Sequence, residues 1–355
     1  KYADERRTEI VASSEDINIE DLIVEEDMVV TISHAGYIKR NAVSLYKSQR
    51  RGGRGKVGMG TKEEDFVEKI FITSTHNYLL VFTNKGRVYW LKVYQVPQAG
   101  RAARGKAIVN LVNLMPDEKV SATLPVKEFV SDRFVVMVTK RGIIKKTDLT
   151  AYSNPRQGGI IAVSIDEGDE LVDVQLTDGS QDIFLATRLG MAIRFKENDV
   201  RDMGRTARGV RGINLDEGDD VIGVEIPAQE TFMLTVSENG YGKCTPIDEY
   251  RVQARGGKGI INLKTVAKIG NVSGVLQVIG DEQVMLISST GKVIRLRVNE
   301  IPVNHRVTQG VKLIELDAEE SLVGLARTTS EGDDRDDESN GNDDPDAPDA
   351  QESDE

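Results

Sequence analysis

Phe134-Val135-Val136-Met137-Val138-Thr139-Lys140-Arg141-Gly142-Ile143-Ile144-Lys145-Lys146 is a run of β-forming residues, a short turn that ends in glycine, and a second β-forming run. Glycine adopts positive φ without steric cost, so this pattern predicts a tight β-hairpin. The pattern occurs six times in the 355-residue chain. Its turn glycines are Gly36, Gly86, Gly142, Gly190, Gly240 and Gly291, spaced by 50, 56, 48, 50 and 51 residues.

Each unit continues with a second glycine, 17 or 19 residues after the first, and then a last strand. The second glycines are Gly55, Gly105, Gly159, Gly209, Gly257 and Gly310. The last strands begin at Val67, Val120, Leu171, Val221, Val272 and Leu322. Each unit therefore predicts three or four short strands and no helix.

A period near 50 residues with about four strands is typical of propeller-like arrays. One small sheet cannot bury both of its faces alone, whereas sheets placed side by side around an axis can. We therefore predict an all-β fold, a six-bladed β-pinwheel with about four strands per blade. The alternative is two independent β-sandwiches, which do not need a regular period.

The net charge of −12 is unevenly distributed. Residues 331–355 hold 13 acidic residues and one arginine, so the remaining residues carry 45 acidic and 45 basic groups. A segment this charged and this poor in apolar residues is predicted to be disordered. We expect a junction from an upstream core and the first strand over residues 1–25, the repeat domain over 26–329 and an acidic tail over 330–355.

Several classes of protein are disfavoured by composition. The sequence has no run of about 18 apolar residues and a charged beginning, which disfavour a membrane span and a signal peptide. The single cysteine, Cys244, cannot form an internal disulfide, so we expect a cytoplasmic protein, associated with the nucleoid if it binds DNA. Because the sequence lacks an initiator methionine, we expect it to be part of a longer protein.

The loop before the second glycine is cationic in almost every unit. In unit order its basic residues are Arg50, Arg51, Arg54 and Lys56; Arg101, Arg104 and Lys106; Arg156; Arg205, Arg208 and Arg211; Arg255 and Lys258; Arg306 and Lys312. The hairpins add Lys39, Arg40, Lys145, Lys146, Arg194, Lys243, Arg295 and Arg297. Equivalent positions of a ring point equivalently, so we expect these side chains to line one rim.

A basic rim of this kind suits the DNA backbone. Each neutralised phosphate releases counterions, and glycines beside arginines let the main chain approach the phosphates. The sequence shows no recognition helix, so we expect little sequence specificity. For isolated arginines in units three, five and six, simple solvation of a surface loop explains the charge equally well. It explains the first unit poorly, because three arginines among three glycines gain nothing by packing.

Two glycine-rich motifs resemble nucleotide-binding sites, but the sequence around them lacks residues or elements that such sites need. Gly53–Gly58 fits G-x-G-x-x-G but lacks the helix that a dinucleotide site needs. Gly100–Lys106 begins like a phosphate-binding loop, but Ala107 stands where a hydroxyl should meet magnesium. The three histidines lie far apart, and no nucleophile stands beside a base. We therefore expect no catalytic residue, no metal and no cofactor in this segment.

The block Gln49-Arg50-Arg51-Gly52-Gly53-Arg54-Gly55, hereafter the box, is identical to the heptapeptide GyrA box of the C-terminal domains of DNA gyrase A proteins. Arg6–Ile10 resembles the junction that follows the breakage–reunion core of that family. Ile19–Ile23 and Thr31–Arg40 resemble its first strands. The resemblance covers residues 10–328.

The resemblance implies a domain that wraps duplex DNA around its rim and presents a segment to the core with a positive crossing. The whole ATP-dependent type IIA topoisomerase, with the gyrase A core and the gyrase B protein in a heterotetramer, would then introduce negative supercoils. The catalytic tyrosine and the ATPase lie elsewhere in that enzyme. The box arginines would contact DNA, whereas unit three, with Pro155–Gly159, is poor in charge. The alternatives are a topoisomerase IV-type DNA-binding domain, or a propeller scaffold for protein partners.

Overall fold

The computed structural model describes residues 19–33, 35–42, 67–100, 103–290, 293–317 and 319–328. Its strands are β1 (Asp27–Ser33), β2 (Tyr37–Ala42), β3 (Val67–Ser74), β4 (Tyr78–Thr83), β5 (Arg87–Lys92), β6 (Lys106–Ala107), β7 (Val120–Val126), β8 (Phe134–Thr139), β9 (Ile143–Asp148), β10 (Ile160–Ile161), β11 (Leu171–Thr177), β12 (Asp182–Thr187), β13 (Met191–Lys196), β14 (Val210–Arg211), β15 (Val221–Glu225), β16 (Phe232–Ser237), β17 (Tyr241–Pro246), β18 (Ile260–Ile261), β19 (Val272–Val278), β20 (Gln283–Ser288), β21 (Val293–Arg297), β22 (Val311–Lys312) and β23 (Leu322–Thr328).

The helical elements of the described residues are single 3-10 turns. They span Ile19–Leu22, Val93–Gln95, Ile108–Asn110, Leu149–Tyr152, Glu197–Asp199, Ile247–Glu249 and Val298–Glu300. Within these ranges no helix is long and apolar enough to cross a membrane.

The strands form six antiparallel sheets, one for each hairpin. Blades 1 to 5 have four strands, in the orders β3-β1-β2-β6, β10-β5-β4-β7, β11-β8-β9-β14, β15-β12-β13-β18 and β19-β16-β17-β22. Blade 6 has β21-β20-β23 among the described residues. The last strands of the units lie towards the axis of the ring, where β7, β11, β15, β19 and β23 contact one another in order and β23 lies against β3. The predicted all-β, six-bladed pinwheel is confirmed.

The fourth strand of each complete blade comes from the following unit. β6 belongs to unit two but pairs with β2 of unit one, with Tyr37 opposite Ala107. β14 of unit four pairs with β9 of unit three in the same way, with Val210 opposite Ile144. The exchange fastens each blade to its neighbour and carries the cationic loop of one unit over the hairpin of the preceding unit.

The central strand of a blade is apolar throughout because both of its faces are covered. In β8, Val135 and Met137 belong to the core between blades 2 and 3. Val136 and Val138 belong to the core between blades 3 and 4. Since successive side chains of a strand point to opposite faces, one strand supplies both interblade cores. The hydrophobic cores of this ring therefore lie between the blades.

Each hairpin turn combines a hydroxyl with a positive-φ glycine. Gly142 has a φ of +78°, and its amide donates to the Thr139 carbonyl over 2.9 Å. The Thr139 hydroxyl accepts from the Ile143 amide at 3.3 Å, where the register of β8 against β11 shifts by a bulge. The same bond is made to Ser33, Thr83 and Thr187, which accounts for the Ser or Thr that stands three residues before these turn glycines.

One equivalence from the sequence was wrong. The second glycine of unit five is Gly259, with a φ of +77°, and not Gly257. Gly259 directly precedes β18, just as Gly209 precedes β14 and Gly310 precedes β22. The corrected spacing from Gly240 is 19 residues, as in four of the other units.

Candidate nucleic-acid interface

The cationic loops end at the second glycine of each unit. We call residues 99–105, 153–159, 203–209, 253–259 and 304–310 rim loops 2 to 6. The box, Lys56 and Arg101 lie outside the described residues. Each rim loop begins beyond a buried residue that anchors it to the blades: Val96, Tyr152, Val200, Tyr250 and Ile301.

Backbone hydrogen bonds link the segment that follows each of rim loops 3 to 5 to the next rim loop. The Ser164 amide, just beyond rim loop 3, donates to the Ala207 carbonyl of rim loop 4 over 3.2 Å. The Asn214 amide, beyond rim loop 4, donates to the Gly257 carbonyl of rim loop 5 over 2.9 Å. The Lys264 amide, beyond rim loop 5, donates to the Thr308 carbonyl of rim loop 6 over 3.0 Å. The loops of these blades are therefore neighbours along one continuous edge.

Arginines at equivalent positions reinforce this edge. Arg255 Nη1 donates to the Arg211 carbonyl over 2.5 Å, and Arg306 Nη1 donates to the Ile261 carbonyl over 2.9 Å. Each guanidinium thus spans to the short strand of the preceding unit while its side chain stays partly exposed. Fixed in this way, the cations hold a regular order along the edge.

Other cations of the edge reach further into solvent. The Arg208 side chain is 61% exposed and that of Lys258 65%. Lys106, Arg156, Arg211, Arg295 and Lys312 are exposed as well, and Arg104, Arg205 and Arg297 are partly exposed. Arg208 pairs with Asp166 and Lys258 with Asp216, the acid in each pair coming from the preceding unit. Exposed pairs of this kind contribute about 0–1 kcal/mol, so a phosphate could replace either carboxylate at small cost.

Three hairpin lysines do not add exposed charge to the rim, contrary to the prediction. Lys39, Lys145 and Lys243 are fully buried. In blades 1 to 5 the third residue of the returning strand is buried beneath the rim loop of the next unit. A phosphate cannot reach these ammonium groups directly, and their donors are used by loop carbonyls.

The ammonium groups hold those carbonyls closely. Lys39 Nζ donates to Gly100 over 3.1 Å. Lys145 Nζ donates to Ala162 over 2.5 Å and to the Arg205 carbonyl. Lys243 Nζ donates to His305 over 2.6 Å and to Arg306 over 2.5 Å.

The fourth residue of the returning strand is also engaged by protein groups. Lys146 Nζ lies 3.2 Å from Asp202, and its side chain is 5% exposed. Arg40 Nε donates to the Val96 carbonyl over 2.8 Å. Burial lowers the Arg40 pKa, although Glu26 opposes the shift. Lys146 and Arg40 therefore fasten the start of the neighbouring loop instead of presenting free charge.

Arg194 makes the corresponding contact in blade 4. Its Nη2 lies 2.7 Å from Asp182, and Nη1 donates to the Ile247 carbonyl over 3.0 Å. Burial alone would raise the Asp182 pKa, but hydrogen bonds from Lys196 and Arg194 outweigh it and the pKa lies below its usual value. Asp182 therefore keeps its charge at neutral pH, and its pair with Arg194 fixes the start of rim loop 5.

The structure reveals a second copy of the box that the sequence pattern did not indicate. With Gly259 aligned to Gly55, Gln253-Ala254-Arg255-Gly256-Gly257-Lys258-Gly259 is identical to the box at five of seven positions. Lys258 keeps the charge that Arg54 carries. When Gly257 is aligned with Gly55 instead of Gly259, unit five is shifted by two residues and the match does not appear. Blade 5 thus shows the local structure of a box-like loop in full.

We also looked within the described ranges at the groups that could bind a metal ion or act as a nucleophile. These ranges contain no cluster of three or more His, Cys, Asp or Glu side chains that could hold a metal ion. On rim loop 6, His305 Nδ1 lies 2.6 Å from Glu249 Oε1. His76 Nε2 lies 2.9 Å from the Ile23 carbonyl oxygen. Burial raises the pKa of the Cys244 thiol to about 12, which leaves it protonated and unreactive.

Comparison with known proteins assigns the family. The sequence model described as "DNA gyrase C-terminal domain, beta-propeller" matches residues 27–74, 77–127, 133–178, 181–228, 231–278 and 282–329. The chain belongs to the DNA gyrase C-terminal domain family. The DNA gyrase A protein of Salmonella typhimurium is 49% identical over 95% of this chain and 38% of its own length. That of Clostridium acetobutylicum is 49% identical over 93% of this chain and 40% of its own length.

Solved structures of this family and a related one share the fold. The C-terminal domain of DNA topoisomerase IV matches with a TM-score of 0.76 and 25% identity, over 88% of this chain and 96% of that domain. A DNA gyrase A C-terminal domain matches with a TM-score of 0.70 and 26% identity, over 86% of this chain and all of that domain. The present chain spans about two fifths of the length of the curated gyrase A proteins.

Proposed function

We propose that this chain binds duplex DNA along the rim loops and wraps it, largely without sequence specificity. The observation that supports the proposal is the order of rim loops 3 to 6 along one edge, where the segment after each loop donates a backbone hydrogen bond to the next loop. Each of these loops has an arginine or lysine facing solvent except the last, where Arg306 is partly exposed. Cations spaced along a curved edge match phosphates spaced along a bent helix. Bending by 40–90° costs on the order of 1–6 kcal/mol, and contacts from several blades would offset it.

We further propose that the chain acts as part of a DNA gyrase A protein. The gyrase relatives support this partnership. With the gyrase A core and the gyrase B protein in a heterotetramer, the wrapped DNA would enter the core as a positive crossing. ATP-dependent strand passage would then yield negative supercoils. The catalytic tyrosine and the ATPase belong to those other parts, so the role of this chain is to bind and curve DNA in the cytoplasm, at the nucleoid.

A topoisomerase IV-type role, DNA binding without strong wrapping, is the second candidate. The fold similarity to the C-terminal domain of DNA topoisomerase IV favours it. The box favours gyrase, because its seven residues match in full. The two candidates differ in whether bound DNA is constrained in a curved path.

Two measurements on the 355-residue chain test the proposal. In an electrophoretic shift with a linear duplex, we expect binding at low salt that weakens steeply as salt rises, with a slope of about −0.9 per phosphate contact. Ligation of nicked circles in the presence of the chain should shift the topoisomer distribution. Binding without a topological shift would favour the topoisomerase IV-type role. No salt-sensitive binding would leave a protein scaffold as the better account.

Replacing Arg255 and Lys258 with alanine is expected to weaken DNA binding about tenfold and to make the salt slope shallower by about 2. Both side chains stand in the second copy of the box, on rim loop 5, between rim loops 4 and 6. Titration of the duplex at several salt concentrations measures both effects. As a charge-matched control, Lys127→Ala with Arg133→Ala removes two exposed cations from the segment between β7 and β8. Equal losses in the two double variants would contradict a specific role for the rim loops.

A further inference from the structure

The third residue of the returning strand alternates between two chemical types around the ring. Blades 1, 3 and 5 carry Lys39, Lys145 and Lys243, all fully buried. Blades 2, 4 and 6 carry Tyr89, Ile193 and Ile294 at the same position. Rim loops 2, 4 and 6 therefore rest on an ammonium group, whereas rim loops 3 and 5 rest on an apolar or aromatic side chain.

Two of the ammonium groups donate to backbone carbonyls of arginines on the rim loops. Lys145 Nζ donates to the Arg205 carbonyl, and Lys243 Nζ donates to the Arg306 carbonyl. Arg205 and Arg306 occupy the position of Arg51 in the box. A buried positive charge thus lies directly beneath the backbone of an arginine of the proposed DNA-binding edge.

We propose that Lys145 and Lys243 are positioning residues which hold rim loops 4 and 6 for DNA, and that they take up protons when DNA binds. This inference rests on the proposed DNA-binding function. It goes beyond it by assigning a pH-dependent role to residues that do not themselves touch DNA.

The surroundings of the two ammonium groups make their protonation responsive to nearby charge. Burial, aided by Arg205, lowers the Lys145 pKa to about 7. Burial lowers the Lys243 pKa to about 8, with Glu249 opposing and Arg306 aiding the shift. In rim loop 6 the other titratable group is His305, which pairs with Glu249.

The charged and titratable groups that directly follow the two lysines on β9 and β17 are already balanced or remain neutral. On the opposite face of β9, Lys146 is balanced by Glu197 and Asp202. The Cys244 thiol beside Lys243 on β17 remains protonated, since burial raises its pKa. The groups that respond to DNA in this proposal are therefore the two lysines.

Phosphates at Arg205 and Arg306 would favour the charged lysines and raise their pKa values. Binding then takes up protons, so DNA affinity must fall as pH rises through this range. Stability has the opposite sign. A lysine with a lowered pKa binds fewer protons folded than unfolded, so stability rises with pH between the folded pKa and the usual value near 10.4. A loss of affinity between pH 7 and 9 therefore does not come from unfolding linked to these two lysines.

Calorimetric titration of a linear duplex into the chain, in buffers of different ionisation enthalpy, tests the inference. Between pH 7 and 9 we expect an uptake of about half a proton and a fall in affinity of about threefold per pH unit. The wild-type measurement needs no substitution. An uptake of zero across this range would overturn the proposal, even though DNA binding itself stood.

The variant Lys145→Ile with Lys243→Ile places in blades 3 and 5 the residue that blades 4 and 6 already carry. We expect weaker binding at pH 7 and a flat pH profile. The same comparison in a His305→Gln background removes the imidazole that pairs with Glu249 beside Lys243. A pH slope equal to that of the wild type would overturn the proposal. Absence of binding by the wild type at every pH would instead refute the DNA-binding function.

Discussion

If the chain acts within a gyrase A protein as proposed, replacing Arg50, Arg51 and Arg54 with alanine in that protein is expected to abolish negative supercoiling by the enzyme reconstituted with gyrase B. Relaxation of supercoiled DNA should continue. Supercoiling requires DNA to be wrapped with a fixed hand, whereas relaxation requires only strand passage. The box lies outside the described residues, but its copy in blade 5 shows how such a loop is held. There, Arg255 is fixed to the preceding short strand and remains partly exposed.

Topology assays with relaxed and with supercoiled plasmid measure the two activities separately. Substituting the same three residues with lysine is the matched control, because it keeps the charge and removes the planar guanidinium. Activity of the lysine variant would assign the effect to charge alone. Undiminished supercoiling by the alanine variant would contradict a role for the box in wrapping.

The hairpins and their number follow from the sequence because they depend on local chemistry. A turn glycine, a hydroxyl three residues earlier and an apolar central strand recur in each unit. In the structure they appear as a positive φ at Gly142, a bonded Thr139 hydroxyl and a doubly covered β8. The regular period then leaves few arrangements that bury both faces of every sheet.

The exchange of the fourth strand does not follow from the period. A unit that keeps its short strand and one that donates it to its neighbour have the same sequence spacing. The pairing of β6 with β2 is a tertiary choice. It also decides which rim loop covers which hairpin, so the contacts of the rim loops were beyond reach of the sequence.

The burial of the hairpin lysines was missed for the same reason. A basic residue on a predicted strand is usually interpreted as exposed, because an unpaired buried charge is costly. The structure satisfies Lys243 with the carbonyls of His305 and Arg306, which belong to the next unit. The alternation of lysine with Tyr89 and Ile193 at this position was a visible signal. It acquires meaning only when the covering loop is known.

Replacing Gly209 with alanine is expected to destabilise the chain by about 2–4 kcal/mol, with the same substitution at Gly204 nearly neutral. Both glycines stand in rim loop 4. Gly209 has a φ of +105°, and an added Cβ would lie 2.6 Å from the Ile144 carbonyl oxygen. Gly204 has no atom within 4 Å of the corresponding position and no left-handed backbone. Equilibrium unfolding in urea, followed by the change in midpoint at constant slope, measures the difference.

The comparison separates two explanations for the glycines of the rim loops. If they serve chiefly to let phosphates approach the main chain, Gly204→Ala should weaken DNA binding more than Gly209→Ala at equal folded fraction. If Gly209 serves to seat β14 on β9, its replacement should cost stability first and displace Arg208 and Arg211 with the strand. The 2.6 Å contact favours the second explanation, because the Ile144 carbonyl and the Ile143 side chain of β9 leave the new methyl group no space. Equal stability of the two variants would show that the loop can shift away from β9 at little cost, and the fixed order of cations along the edge would then lose its structural basis.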